Sequence, residues 1–172
     1  MRIRSVRRDE LPALQAIERA AGEAFRGRGM AQIADDEPPT VEALHHYREE
    51  GLAWVAADRE DAPVAYLVAR LVDGCLHIEQ VSVHPAHAGR RIGRTLLDHA
   101  SRWAECHGVP ALTLSTFASV PWNAPYYRRL GFRPIDTPAL GPGLVRIRAE
   151  EESLRLTRWP RVFMRREVGP RD

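Results

Sequence analysis

The stretch from Leu76 to Gly93, LHIEQVSVHPAHAGRRIG, restricts what this chain can fold into more than any other. An apolar strand runs into a turn marked by Pro85, and a loop of glycine and arginine then opens an amphipathic helix. Ile92, Leu96, Ala100, Trp103 and Ala104 recur at three- and four-residue steps, the period of one helix face. Strand, loop and helix start in that order make an anion site. The N–H groups of the first helical turn have no intrahelical acceptor, and the helix dipole stands behind them. Arg90, Arg91 and Arg94 add formal positive charge at the same place, which suits a pyrophosphate. The loop is neither of the two common nucleotide loops. The chain contains no lysine, which removes GxxxxGK[ST], and there is no GxGxxG.

A second signal follows about thirty residues on, Asn123-Ala-Pro-Tyr-Tyr-Arg-Arg-Leu-Gly-Phe132. Asn123 reads as an N-cap, and Pro125 falls in the first turn, where its missing N–H removes nothing. Gly131 stands where a left-handed C-terminal residue is wanted. Tyr126 and Tyr127 therefore lie on a short helix, and Phe132 starts a strand. On these two motifs the chain resembles the GNAT superfamily of acetyl-CoA-dependent N-acetyltransferases. The family's phosphate loop reads [Q/R]-x-x-G-x-[G/A], and its later motif is a tyrosine placed as Y-x-x-x-G-F. Tyr127, Gly131 and Phe132 match the later motif. In the loop Gly93 fits, while Ala88 stands at the Gln/Arg position and Arg91 at the central glycine. In element order the resemblance runs from about Arg2 to Val168.

That resemblance implies a direct transfer of acetyl from acetyl-CoA to a primary amine through a tetrahedral intermediate. It sets Gln80–Val83 along the pantetheine arm, with Val81, Ser82 and Val83 offering backbone hydrogen bonds and polarising the thioester. It places the pyrophosphate on Ala88, Gly89, Arg90, Arg91, Ile92, Gly93 and Arg94, and brings Asn123 to the pantetheine. Tyr127 matches the general acid that protonates the departing thiolate; a phenol with a pKa of about 10 holds its proton at neutral pH. For the base, His77 and Glu79 lie two apart on one strand and share a face. Arylalkylamine members of the family carry two histidines at this spacing, and Glu79 here replaces the second. Either group would strip a proton from an ammonium, and the sequence leaves the choice open.

Composition narrows the class further. Cys75 and Cys106 are too few for a disulfide framework. No apolar run approaches the roughly 18–20 residues of a membrane span, and MRIRSVRRDE lacks the apolar centre of a signal peptide, so a cytoplasmic protein off the membrane is expected. All 25 basic residues other than histidine are arginine, which codon bias alone would explain. Residues 1–86 hold 10 arginines against 15 acidic residues, a balance of −5; residues 87–172 hold 15 against 8, a balance of +7. The basic half contains the proposed phosphate loop, and the acidic half would draw in a cation. Nucleic acid is disfavoured as a partner, because there is no basic tail and the aromatics do not alternate with the arginines. His84 and His87 form HxxH with no third ligand at a useful spacing, so no metal is expected. Asp35, Asp36 and Glu37 form either a solvated turn or a selector for a cationic amine. Phe117 and Trp122 either stack on the acceptor or fill core.

Along the chain, Arg2–Val6 reads as a strand and Asp9 as the cap of a helix carrying Leu11, Leu14, Ile17, Ala21 and Phe25. Gly27–Pro39 reads as a loop, and Thr40 caps a helix to about Glu50. Strands follow over Leu52–Ala57 and Val64–Val72, with Asp73-Gly74 as the hairpin turn into Cys75–Val83. The long helix runs to about His107. Ala111–Phe117, Phe132–Ile135 and Arg161–Val168 are further strands. Asp136–Gly143 reads as a lid or edge connection, and Glu150–Glu152 with its apolar neighbours as a short helix. The order predicts an α/β (α+β) fold in one N-acetyltransferase domain over residues 1–172. It is a GNAT-like mixed, mostly antiparallel sheet of about six to seven strands flanked by about four helices. The expected acceptor is a small cationic or aralkyl amine. A protein lysine or N-terminal amine, or a non-catalytic acyl-CoA-binding module, stands as the alternative, and exposed edge strands allow a homodimer.

Overall fold

A computed structural model of the chain describes residues 1–169; the last three residues of the expected 1–172 domain lie outside the described residues. Seven strands hydrogen-bond in the order β1-β2-β3-β4-β5-β7-β6. They are β1 (Arg2–Ser5), β2 (Ala53–Ala57), β3 (Pro63–Val72), β4 (Cys75–Val83), β5 (Ala111–Phe117), β6 (Arg133–Pro134) and β7 (Arg161–Glu167). The helices are α1 (Leu11–Gly22), α2 (Ala31–Ala34), α3 (Val41–Glu49), α4 (Ile92–Cys106), α5 (Ala124–Arg129) and α6 (Pro142–Ser153); four of them have nine residues or more. The chain forms two compact units, one of Met1–Ala69 with Gln80–His99, the other of Arg70–Glu79 with the residues from Ala100 on. No helix among the described residues is long and apolar enough to cross a membrane.

In the first unit, β1 and β3 flank β2, both antiparallel to it. Leu11, Leu14 and Ile17 of α1 and Leu44 of α3 pack with Val6, Ala53, Val55, Tyr66 and Val68. Those strand residues alternate along β2 and β3, so one sheet face meets both helices. Thr40 caps α3 as expected, its hydroxyl accepting from the Ala43 N–H at 3.1 Å. Asp9 does not cap α1. It lies in a 3-10 turn over Arg8–Glu10, and the Glu10 carboxylate turns back to the Arg7 N–H at 2.8 Å and to the Arg4 guanidinium at 2.6 Å. Phe25 falls beyond α1, in a 3-10 segment, and the loop expected over residues 27–39 contains α2. Asp61 ties the N-terminal strand down, taking hydrogen bonds from Arg2, Arg4 and Arg7.

In the second unit, β5 pairs antiparallel with β7 over seven residues, and β6 adds two pairs to the outer edge of β7. A parallel pair, β4 with β5, joins Leu76 to Leu112 and His77 to Thr113. It does not extend to Ile78 and Glu79. The Asp73-Gly74 turn forms as expected, both residues having positive φ (51° and 76°), the backbone a two-residue hairpin demands.

Asp73 has a second role that changes the reading of residues 136–153. They hold a 3-10 turn (Thr137–Ala139) and the twelve-residue helix α6, not an edge connection followed by a short helix. Gly141 at the N-cap has no side chain to offer. The Asp73 carboxylate supplies the cap from 70 residues away, accepting from the Gly143 N–H at 2.8 Å and the Leu144 N–H at 3.1 Å. Glycine permits this approach: a Cβ on Gly143 would stand 2.6 Å from Val72 Cγ1 and 2.8 Å from Asp73 Oδ1. Below α6, Leu144 and Ile147 pack with Val72 and Phe163, flanked by Ile135 and Leu140.

Candidate active site

The expected phosphate loop lies in the first unit. After β4, Pro85–His87 make a 3-10 turn whose cap is the His84 Nδ1, accepting from the Ala86 N–H at 3.1 Å. Ala88, Gly89, Arg90 and Arg91 are exposed, and Ile92, the first residue of α4, is buried. Gly89 and Arg91 have φ of 77° and 58°. Arg91, at the family's glycine position, thus keeps the left-handed backbone glycine takes freely, against a penalty of about 1–2 kcal/mol. Its carbonyl accepts from the Thr95 N–H and hydroxyl, both at 3.1 Å, which starts the helix and leaves the first-turn N–H groups for a ligand. A fifteen-residue helix behind an exposed loop with Arg90 and Arg91 fits a polyphosphate.

The candidate bases lie in the second unit. His77 is 2% exposed, and its Nδ1 sits 2.8 Å from Thr113 Oγ1 across the parallel pair. Burial lowers its pKa from 6.5 to about 4, with the Arg70 charge adding to the effect and Asp73 opposing it. Glu79 is half-buried and hydrogen-bonded to Arg70 Nε. Burial pushes its carboxyl above the usual range, Arg70 pulls it back, and Glu150 and Glu151 of α6 push it further up. Beneath the same helix, Arg161 Nη2 donates to Glu151 Oε1 at 3.1 Å and to Ser115 Oγ at 3.2 Å. Its guanidinium lies 4.5 Å from the Phe117 ring centroid. Phe117 is buried, with an arginine on its face and Trp159 edge-on at 6.2 Å, and therefore fills core.

Helix α5 carries the tyrosines. Pro125 stands in its first turn, Gly131 follows with φ 92°, and the Phe132 N–H returns to the Tyr127 carbonyl at 3.1 Å. Tyr127 is 8% exposed, with its ring edge-on to the fully buried Phe132 at 5.7 Å. Tyr126 packs between Tyr127 and the Arg129 guanidinium. Asn123 corrects one expectation. It occupies the N-cap position, but at φ −109° and ψ −117° its side chain accepts no cap bond. Its Oδ1 is buried without a hydrogen-bond partner, an acceptor that a ligand amide would satisfy.

Other singled-out residues have local partners. Asp35 pairs with Arg26 at 2.6 Å and Glu37 with Arg19 at 3.4 Å, all at exposed side chains. Trp122 is 38% exposed. No group of three or more His, Cys, Asp or Glu suited to a metal occurs among the described residues. Cys75 is buried and Cys106 exposed, both free thiols.

Sequence reasoning passed over Glu18. It stands on the apolar stripe of α1, four residues after Leu14, where a charge is out of place. That position was the available signal. Its Oε2 accepts from the Tyr66 hydroxyl at 2.7 Å and from the Ser82 hydroxyl at 2.6 Å, and Ser82 Oγ accepts from Gln80 Nε2 at 2.8 Å. Ser82 belongs to the segment of β4 expected to run along the acyl donor.

Residues 14–132 match the model of the acetyltransferase (GNAT) family. Solved structures share the fold over nearly the whole chain. The PaiA N-acetyltransferase of Thermoplasma acidophilum, solved with coenzyme A, superposes with a TM-score of 0.70 at 15% identity, covering 96% of this chain and 98% of that one. A GNAT-family acetyltransferase of Staphylococcus aureus Mu50 gives 0.72 at 17% identity, over 98% and 99%. The ribosomal-protein-S18-alanine N-acetyltransferase of Escherichia coli gives 0.66 at 19%, over 99% and 96%. With its family model matched over more than half its length, this chain belongs to the GNAT acetyltransferases, enzymes that take their acyl group from acetyl-CoA.

Proposed function

We propose that this enzyme acetylates the primary amine of a small cationic or aralkyl molecule within a single catalytic domain, with Glu79 as base and Tyr127 as acid. Acetyl-CoA supplies an activated acyl group, and the chain's own residues bind it and move protons. Ala88–Arg94 hold the pyrophosphate, Val81–Val83 and Asn123 the pantetheine. Glu79 takes the proton from the acceptor ammonium and passes it to solvent. The amine nitrogen then adds to the thioester carbon to give the tetrahedral intermediate, which loses its remaining surplus N–H proton to Glu79 as the carbon–sulfur bond breaks. Tyr127 gives its phenolic proton to the departing thiolate and recovers one from solvent.

The observation that carries this assignment is the contrast between Glu79 and His77. A base works best when its pKa nears the operating pH. Burial raises the Glu79 carboxyl above the usual carboxylate range, while His77, at about 4, is a weak base sealed against Thr113. Steady-state kinetics of Tyr127→Phe test the acid. Loss of the proton donor should lower kcat by about 10²–10⁴-fold with acetyl-CoA affinity unchanged. Turnover within threefold of the parent would remove Tyr127 from the mechanism.

A further inference from the structure

We propose that Glu18 is the seat of the acceptor's ammonium group, which makes the acceptor a protonated amine held by charge. The proposal rests on the amine-acetyltransferase reading above and names a residue that reading does not use.

Glu18 is unusual among the sheltered carboxylates of this arginine-rich chain. Glu10 pairs with Arg4, Asp61 with Arg2, Arg4 and Arg7, Glu79 with Arg70, Asp98 with Arg94 and Glu151 with Arg161. Asp58 is held by the N–H groups of its own turn. Among the described residues Glu18 has no cation within ion-pair reach; its two partners are the hydroxyls of Tyr66 and Ser82. A half-buried carboxylate without a counter-charge is unfavourable unless something neutralises it.

The hydroxyls fix the carboxylate without neutralising it. Each has a single proton, and both are spent on Oε2. Tyr66 is fully buried, so its position is locked, and Ser82 is held in turn by Gln80. Oε1 takes no hydrogen bond from the described residues and is not sealed from solvent. A fixed anion therefore offers one open oxygen, while its other oxygen is held by Ser82 of the strand assigned to the acyl donor. An ammonium with three N–H donors meets the charge and the open lone pairs together.

Glu18→Gln tests this. It removes the charge and keeps an oxygen to accept from Tyr66 and Ser82. Calorimetric titration of 2-phenylethylamine and 1,4-diaminobutane, each against its alcohol counterpart, is run on the coenzyme A-saturated protein; amine-dependent thiol release from acetyl-CoA is followed in parallel. The parent should bind amine in preference to alcohol. Glu18→Gln should weaken amine binding and raise the amine KM by about tenfold or more, with the acetyl-CoA KM unchanged. Tyr66→Phe, which removes one of the two donors, should give a smaller rise in the same parameter and serves if Glu18→Gln does not fold. Equal amine binding by parent and variant, or no amine binding by the parent, would overturn the proposal. Absence of thiol release with every amine would instead overturn the acetyltransferase assignment, and the binding arm would still judge Glu18.

Discussion

Acidification from pH 7 should destabilise this protein through His77. The imidazole is buried neutral against Thr113, with its pKa lowered to about 4, while the unfolded chain returns it to 6.5. Because the folded value lies below the unfolded one, the unfolded state takes the proton first. The stability is complete above pH 6.5 and is lost as pH falls toward 4. At about 1.4 kcal/mol per pH unit the interval amounts to about 3 kcal/mol, and for a chain this long a loss of that size lowers Tm by about 6–12 °C. Glu10 and Asp61, held down by arginines, act only from the ordinary carboxylate values of 4.5 and 3.8 downward. Glu79, raised by burial, acts in the opposite direction within the same window. The comparison to read is therefore the parent against His77→Gln, which keeps Glu79 and removes the imidazole. Urea denaturation between pH 7.5 and 4.5 should show the variant less stable at pH 7 and the gap closing as pH falls. A gap constant across that range, or an NMR titration placing His77 near 6.5, would refute the reasoning.

Removing the counter-charge in Arg70→Gln should move the acid limb of the kcat/KM profile to higher pH, since Arg70 holds Glu79 down, and Glu79→Gln should abolish the limb; a limb unmoved in Arg70→Gln would exclude Glu79 as its source. Asp73→Ala strips the cap from α6 and should reduce stability by about 0.5–2 kcal/mol, read as a lower urea midpoint at unchanged slope; an unchanged midpoint would mean that packing alone anchors the helix.

Elements whose cause is local were legible. Thr40 caps its own helix, Asp73-Gly74 shapes its own turn, and β5 was bounded by Gly108 and Pro110 on one side. Helix α6 was not, because its cap arrives from Asp73, and its first residues, Pro142-Gly143, fall in the Pro/Gly-rich stretch that reads as a lid or edge connection. Asp9 misled for a related reason: Glu10 next to it is drawn away by Arg4 and Arg7, and the chain enters α1 through a 3-10 turn. At the candidate site, local structure followed from the motifs: Gly89 to Arg91 make an exposed turn before α4, and Gly131 follows α5 with positive φ. What position could not convey was environment. His77 and Glu79 share a strand face, yet one is sealed against Thr113 and the other paired with Arg70. Glu18 escaped notice because its partners, Tyr66 and Ser82, lie 48 and 64 residues away.

The most direct test of the central claim is free-thiol release from acetyl-CoA by the purified protein across aralkylamines, diamines, polyamines, amino acids and lysine peptides. The account predicts release that depends on amine and is fastest with small cationic or aralkyl amines. Release confined to lysine peptides, or none above the rate without amine, would contradict it.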